Sequence, residues 1–300
     1  MAKHLMHIGF LLAVGALALK AAFMPPRMQA TLKPGESAAL GEAVLVLKGF
    51  EVPKYPSGKP RQYVSDVHMV SSGDGGMPKA EHAKISVNHP MRWNGWWIYQ
   101  NSYDAADEAY TVLEAVRDPF LPMAAIAGAL LLAGAALLCR RREKGTVAAK
   151  GGALKFAAAS AVVMLPLWIV GRALLAKELV PALQSPLLVP HVGAYLVSYA
   201  ILIFAAFGIG VRHVAFGFFL MTLALVLGAV WGKICWGDWW QYDPKEMWSL
   251  ATWLTFAAYF HFRRHARVAQ WMLRFGAVMI ILTLTWVNFS RIFRGLHSYV

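Results

Sequence analysis

Seven stretches of this chain, near 7–24, 120–138, 155–175, 191–210, 214–232, 248–262 and 272–290, are apolar enough to be read as crossings of a bilayer. The hydrocarbon core to be crossed is about 30 Å thick. The stretch 248–262 is short, and Trp248, Trp253 and Tyr259 extend it into the interfaces where aromatic rings are favoured. Over all 300 residues, 58% are hydrophobic and 15% charged, against roughly 45–50% and 25% for a soluble globule. That excludes a cytosolic enzyme and a disordered chain. The expected fold is a polytopic α-helical membrane protein with about seven transmembrane helices.

The formal charge of +13 would suggest nucleic acid if it were spread over a face. It is not. Residues 25–118 hold ten basic and eleven acidic side chains, and the excess lies beside the apolar stretches. Arg140, Arg141, Arg142, Lys144, Lys150, Arg212, Arg263, Arg264 and Arg267 occupy one set of connections, while the alternate set carries only Lys177, Lys233 and Lys245. Basic connections stay in the cytoplasm. The expected topology therefore has the N-terminus inside, with residues 25–118, the 233–247 loop and the C-terminus outside, and no nucleic-acid partner. Cys139 and Cys235 then lie on opposite sides of the bilayer and cannot pair. The first stretch also reads as a cleaved signal peptide, although Lys20 interrupts the region where cleavage would fall.

Between the first two stretches, residues 25–118 read as a small β-rich domain outside the cytoplasm. Ala43–Phe50, Gln62–Val70, Lys84–Asn88, Trp96–Ser102 and Tyr110–Val116 are β-branched or aromatic segments with partial alternation. Turn chemistry separates them, including Asn94-Gly95. The expected organisation is a first helix over 1–24, the β-rich domain over 25–118, a second helix over 119–139 and a helical domain over 155–300. No phosphate-binding glycine loop and no C-x-x-C-H segment occurs.

The most unusual segment is 231–248, where Trp231, Trp236, Trp239, Trp240, Tyr242 and Trp248 crowd around Gly237, Asp243-Pro244 and Glu246. An interfacial aromatic belt is one reading. Acids and a Pro-fixed turn among the rings favour another, a shelf that stacks against one large flat ligand. A metal-containing planar ligand needs axial donors. His191 and His297 flank the loop on the same side, and imidazole is a common axial ligand of haem iron.

The run Trp236-Gly237-Asp238-Trp239-Trp240-Gln241-Tyr242-Asp243-Pro244-Lys245-Glu246 resembles the tryptophan-rich WWD signature of the haem-handling superfamily. Gly295-Leu296-His297-Ser298-Tyr299 and the His191–Ala200 span are similar to its CcsA (ResC) branch. Tyr55–Pro60, Ile85–Asn88 and Gly95–Tyr103 are similar to a shortened CcsB (ResB) part. The resemblance implies a System II cytochrome c synthase of the bacterial inner (cytoplasmic) membrane. Such a protein moves haem b across the bilayer and attaches it to C-x-x-C-H apocytochromes c. It also implies His191 and His297 as axial ligands of an outer haem. Trp236, Trp240, Tyr242 and Asp243 would then be the loop that presents the haem, with Trp239 beside it. Tyr242 stands where the family usually has Trp and keeps a stacking face. An inner pair of haem ligands is implied at His261 and His7, with His4 competing for the latter place. Arg294, Arg291, Lys233 and Lys245 are the outward cations available for haem propionates. A separate ResB-like subunit and thiol-reducing proteins are the implied partners. A haem exporter or chaperone serving a separate lyase remains the alternative. His68, His82, His89 and His213 are left as ordinary surface or turn residues, and Cys235 as a small packed one.

Overall fold

The structure is a computed structural model that describes residues 1–72, 78–140 and 178–284. It is a polytopic helical membrane protein with a small β-rich region. The described helices are α1 (Ala2–Phe23), α2 (Leu121–Arg140), α3 (Leu188–Ala206), α4 (Val214–Trp236), α5 (Pro244–Phe262) and α6 (Ala266–Leu284). Five candidate membrane spans follow by length and apolarity: α1, α2, α3, Val211–Trp236 and α6. The stretch expected near 248–262 forms α5, whose first turn carries Lys245 and Glu246. The stretch expected at 155–175 lies outside the described residues.

Small residues set the spacing of the bundle. A Cβ on Gly9 of α1 would come within 3.0 Å of the Ala127 carbonyl on α2, so the two backbones meet directly. Gly217 of α4 is pressed in the same way against Ile201 and Leu202 of α3, and the buried Ser198 hydroxyl donates to the Gly217 carbonyl at 2.7 Å. Trp253 of α5 donates its indole N–H to Thr222 of α4 at 2.9 Å and lies stacked between Phe10 and Phe218. Phe218, Phe256, Leu202, Leu273 and Ile280 form the fully buried centre.

The contacts fix which helix ends lie together. The Cys139 thiol at the end of α2 donates to Ala215 at the start of α4, and Gln270 near the start of α6 donates to Ala206 at the end of α3. The start of α1 and the end of α5 share that end of the bundle, through His7 and His261. Exposed Arg212, Arg263, Arg264 and Arg267 cluster there too. The opposite end carries the β-rich region, the start of α3 and the end of α4. Cys139 and Cys235 are thus at opposite ends of the bundle.

The β-rich region is two four-stranded antiparallel sheets, in orders β1-β8-β7-β6 and β2-β3-β4-β5. Their strands are β1 (Met28–Leu32), β2 (Ser37–Leu40), β3 (Ala43–Glu51), β4 (Val64–Ser72), β5 (Pro78–Ser86), β6 (Met91–Trp93), β7 (Trp96–Tyr103) and β8 (Thr111–Val116). Five strands match the expected segments to within a few residues, except that β5 begins at Pro78 rather than Lys84. The short β1, β2 and β6 carry too few alternating positions to announce themselves. Asn94 and Gly95 both take positive φ, 43° and 82°, giving the tight β6–β7 hairpin that this dipeptide favours. Leu45, Leu47, Val67, Met69, Ile85, Ile98 and Leu113 fill the space between the sheets. One polar knot crosses it. Ser65 donates to Gln100 at 2.6 Å and Gln100 donates to Thr111 at 2.7 Å, so these buried groups are satisfied across the sheets.

Candidate functional site

The aromatic loop is held from both flanks. Helix α4 ends at Gly237, whose φ of 81° is the left-handed terminator that glycine adopts without strain. A Cβ at Gly237 would press on Tyr99 of β7 at 3.1 Å, so the loop starts in contact with the β-rich region. Helix α5 starts with a capping box. The Asp243 carboxylate accepts from the Lys245 N–H at 2.8 Å. Glu246 reaches back to accept from Asp243 N–H at 3.3 Å and Gln241 N–H at 2.8 Å. The run Asp-Pro-Lys-Glu therefore reads physically as N-cap, fixed φ and returning carboxylate.

Between these flanks, Trp236, Trp239 and Trp240 form one wall of a cavity of about 320 Å³, and His191, Tyr195 and Trp231 form another. That volume is at the lower end of the ~300–1,000 Å³ of small-molecule sites. His191 sits in the first turn of α3 and meets Trp231 edge-on at 5.7 Å between centroids. Its Nδ1 lies 2.9 Å from the Ala224 carbonyl. A carbonyl only accepts, so Nδ1 is the donor, the kind of bond that orients a metal-ligating imidazole. Gly228 makes room for this ring: a Cβ there would fall 2.6 Å from His191 Cε1. Trp239 is 8% exposed, and its indole N–H has no hydrogen-bond partner among the described residues.

The loop has a second face. Lys20, Arg27, Asp238, Trp240 and Tyr242 line a neighbouring cavity of about 370 Å³. Asp238 is paired with both Lys20 of α1 and Arg27 just before β1, and Arg27 also binds Glu114 of β8 at 2.9 Å. Further contacts join the β-rich region to the bundle. Tyr99 donates its phenol to the Lys233 carbonyl at 2.9 Å, Lys233 pairs with buried Asp118 at 3.2 Å, and Trp231 donates to Asn88 at 3.3 Å. Burial, with Asp118 beside it, pushes the Tyr99 phenol well above its ordinary pKa, so it stays a donor.

At the far end of the bundle, His7 and His261 bring their Nε2 atoms to 3.3 Å. His7 Nδ1 donates to the Lys3 carbonyl at 2.6 Å and His261 Nδ1 to the Ala257 carbonyl at 3.2 Å. The two Nε2 atoms thus stand within hydrogen-bond distance of each other, a place that a shared proton or a metal ion would suit. The pair borders a cavity of about 390 Å³ whose other walls include Met6, Phe10, Trp253 and Phe260. His4 is exposed and does not line it.

Of the residues singled out from sequence, the structure gathers His191, Trp236, Trp239 and Trp240 around one cavity and His7 with His261 around another. Tyr242 and Asp243 do not line the His191 cavity. Tyr242 is 59% exposed beside Lys20 and Asp238, and Asp243 caps α5. His297, Arg294 and Arg291 lie outside the described residues. The Lys20–Asp238–Arg27 cluster was missed, although a lysine inside an apolar stretch is itself a signal of function.

Two family matches fall in the same order along the chain. Residues 20–112 match the ResB-like family, and residues 209–297 match the family described as Cytochrome C assembly protein. Proteins named "Cytochrome c biogenesis protein CcsA" are similar to it. That of Prochlorococcus marinus (strain MIT 9312) is 33% identical over 179 residues, covering 42% of this chain and 57% of the relative. That of Synechococcus sp. (strain WH7803) is 43% identical over 96 residues, covering 29% of this chain and 28% of the relative. That of Guillardia theta is 41% identical over 96 residues, covering 29% and 30%. The chain thus spans 57% or less of the length of these relatives. It joins, in a single polypeptide, a ResB-like region to a cytochrome c assembly region of the CcsA type.

Proposed function

We propose that the chain acts in cytochrome c maturation as a haem-handling protein that moves haem b across the bilayer and attaches it to apocytochromes c. The observation that carries this reading is the pairing of two histidine-bearing, largely apolar cavities at opposite ends of one bundle. His7 and His261 receive haem from the cytoplasmic side. Their Nε2 atoms, 3.3 Å apart, would hold the haem iron there. His191 on α3, together with His297, would hold the outer haem. Two imidazoles keep other ligands off the iron.

In this reading Trp236, Trp239 and Trp240 stack against the porphyrin and exclude water, and the Trp239 N–H binds a polar edge. Arg294, Arg291 and Lys245, which borders the His191 cavity, are the cations for the propionates, whereas Lys233 is taken up by buried Asp118. Tyr242 stands on the exposed rim that meets the apocytochrome, and Asp243 holds that rim in place by capping α5. Each cysteine thiol of the C-x-x-C-H segment adds across a vinyl group, sulfur to one carbon and hydrogen to its neighbour, with no net oxidation. The protein's share is orientation of thiol against vinyl.

The topology proposed with it has seven spans, a cytoplasmic N-terminus, and the β-rich region, aromatic loop and C-terminus outside, in the inner membrane of a bacterium. The domains run 1–24, 25–118, 119–139 and 155–300. The exposed arginines at the His7/His261 end support this orientation. A separate ResB-like subunit and thiol-reducing proteins complete the expected partners.

The test is co-expression with a C-x-x-C-H apocytochrome in cells lacking other maturation proteins. Covalent haem on the reporter, together with a bis-histidine spectrum of the purified chain, is the expected result. Haem bound to the chain without covalent product replaces synthase by exporter or chaperone. A colourless protein overturns both.

A further inference from the structure

We propose that Asp66, His68 and His82 form a binding site for one divalent transition-metal ion of the zinc, nickel or copper class, on the outer face of the second sheet. The site is independent of the haem reading and shares none of its histidines.

Strand geometry assembles it. Asp66 and His68 are two apart on β4 and so point to the same face. Ser65, Val67 and Met69, the alternate residues, are fully buried against the first sheet, which turns Asp66 and His68 outward. The antiparallel register places His82 of β5 directly opposite His68. Their ring centroids are 4.6 Å apart, and His82 Nε2 is hydrogen-bonded to Asp66 Oδ1. One ligand atom from each of the three residues lies within 4.8 Å of the others.

A tetrahedral ion with bonds of about 2.0–2.1 Å needs ligand atoms about 3.3 Å apart. Adjacent strands are already about 4.8 Å apart, so side-chain rotation alone closes the difference. The donor set chooses the metal. Two imidazoles and one carboxylate suit zinc, nickel and copper(II), whereas calcium and magnesium demand more oxygen and copper(I) demands sulfur. Asp66 supplies a compensating negative charge. Lys84, the cross-strand neighbour of Asp66, reaches to Glu51 at 3.9 Å. All three ligands are at least partly exposed. The ion is therefore reachable from solvent and keeps at least one position for water.

Equilibrium dialysis of the purified full chain in detergent against zinc chloride, with bound zinc counted by mass spectrometry, tests this. The comparison is among the wild-type chain, a His68→Gln/His82→Gln double variant, Asp66→Asn and His89→Gln. The expected result is one zinc per chain fewer in the double variant, weakening by about tenfold or more in Asp66→Asn, and no change in His89→Gln. These positions face solvent, and an unchanged far-ultraviolet circular dichroism spectrum certifies the fold of each variant. Equal zinc on wild type and a folded double variant overturns the proposal, as does a wild-type chain that takes up none.

Discussion

His7 and His261, 254 residues apart in the chain, present their Nε2 atoms to each other at 3.3 Å while each Nδ1 is tied to a carbonyl of its own helix. The two tethers fix the ring orientations before any ligand arrives. His7→Ala or His261→Ala is expected to reduce copurified haem severalfold with protein levels unchanged, and added imidazole is expected to restore part of it. Absorption spectra of matched membrane extracts check this, and haem content equal to wild type in both variants would remove the pair from the pathway.

Gly228 gives a packing test of the outer site. The methyl of Gly228→Ala would sit 2.6 Å from His191 Cε1, so the ring must turn away. A cost of about 1–3 kcal/mol is expected from overpacking, seen as a lower melting temperature. The outer-site haem signal is expected to fall as far as in His191→Ala. A Gly228→Ala protein with wild-type haem would show that His191 is not held by this contact.

Asp243 separates capping from chemistry. Asn caps a helix about as well as Asp, whereas Ala loses about 1 kcal/mol. Asp243→Asn is therefore expected to keep both stability and haem attachment, and Asp243→Ala to lose stability. An Asp243→Asn protein that is stable but unable to attach haem would assign the carboxylate a direct part in the reaction.

Asp238 tests how the loop is anchored. Asp238→Ala leaves Lys20 and Arg27 without their shared partner, and a loss of about 1–3 kcal/mol is expected for these partly buried cations. The double variant Lys20→Met/Asp238→Ala removes one stranded charge and is expected to recover part of that loss. Thermal unfolding in detergent reads both, and additive effects would mean the pair is not coupled.

Much of this arrangement was legible in the chain. Apolar stretches announced the helices because a bilayer tolerates little else, and the Trp-rich loop stood out because its acids and Pro serve no belt. What sequence concealed depends on register and turn geometry. Asp66, His68 and His82 lack a recognisable ligand spacing until β4 and β5 pair. Asp243 reads from sequence as part of the haem-presenting loop, and its place in a capping box shows only with the turn geometry. Tyr242 faces away from Trp239 and Trp236 because its φ of 58° turns the chain there, which an aromatic count cannot reveal.

Trp240 belongs to the walls of both the His191 cavity and the Lys20–Asp238 cavity. Neither volume can be reshaped alone. A guest that tilts this indole on one side would move a wall of the cavity that holds Asp238 and Arg27 on the other. Occupancy beside His191 would then be readable from the ResB-like half, as a change in how firmly its first strand is held.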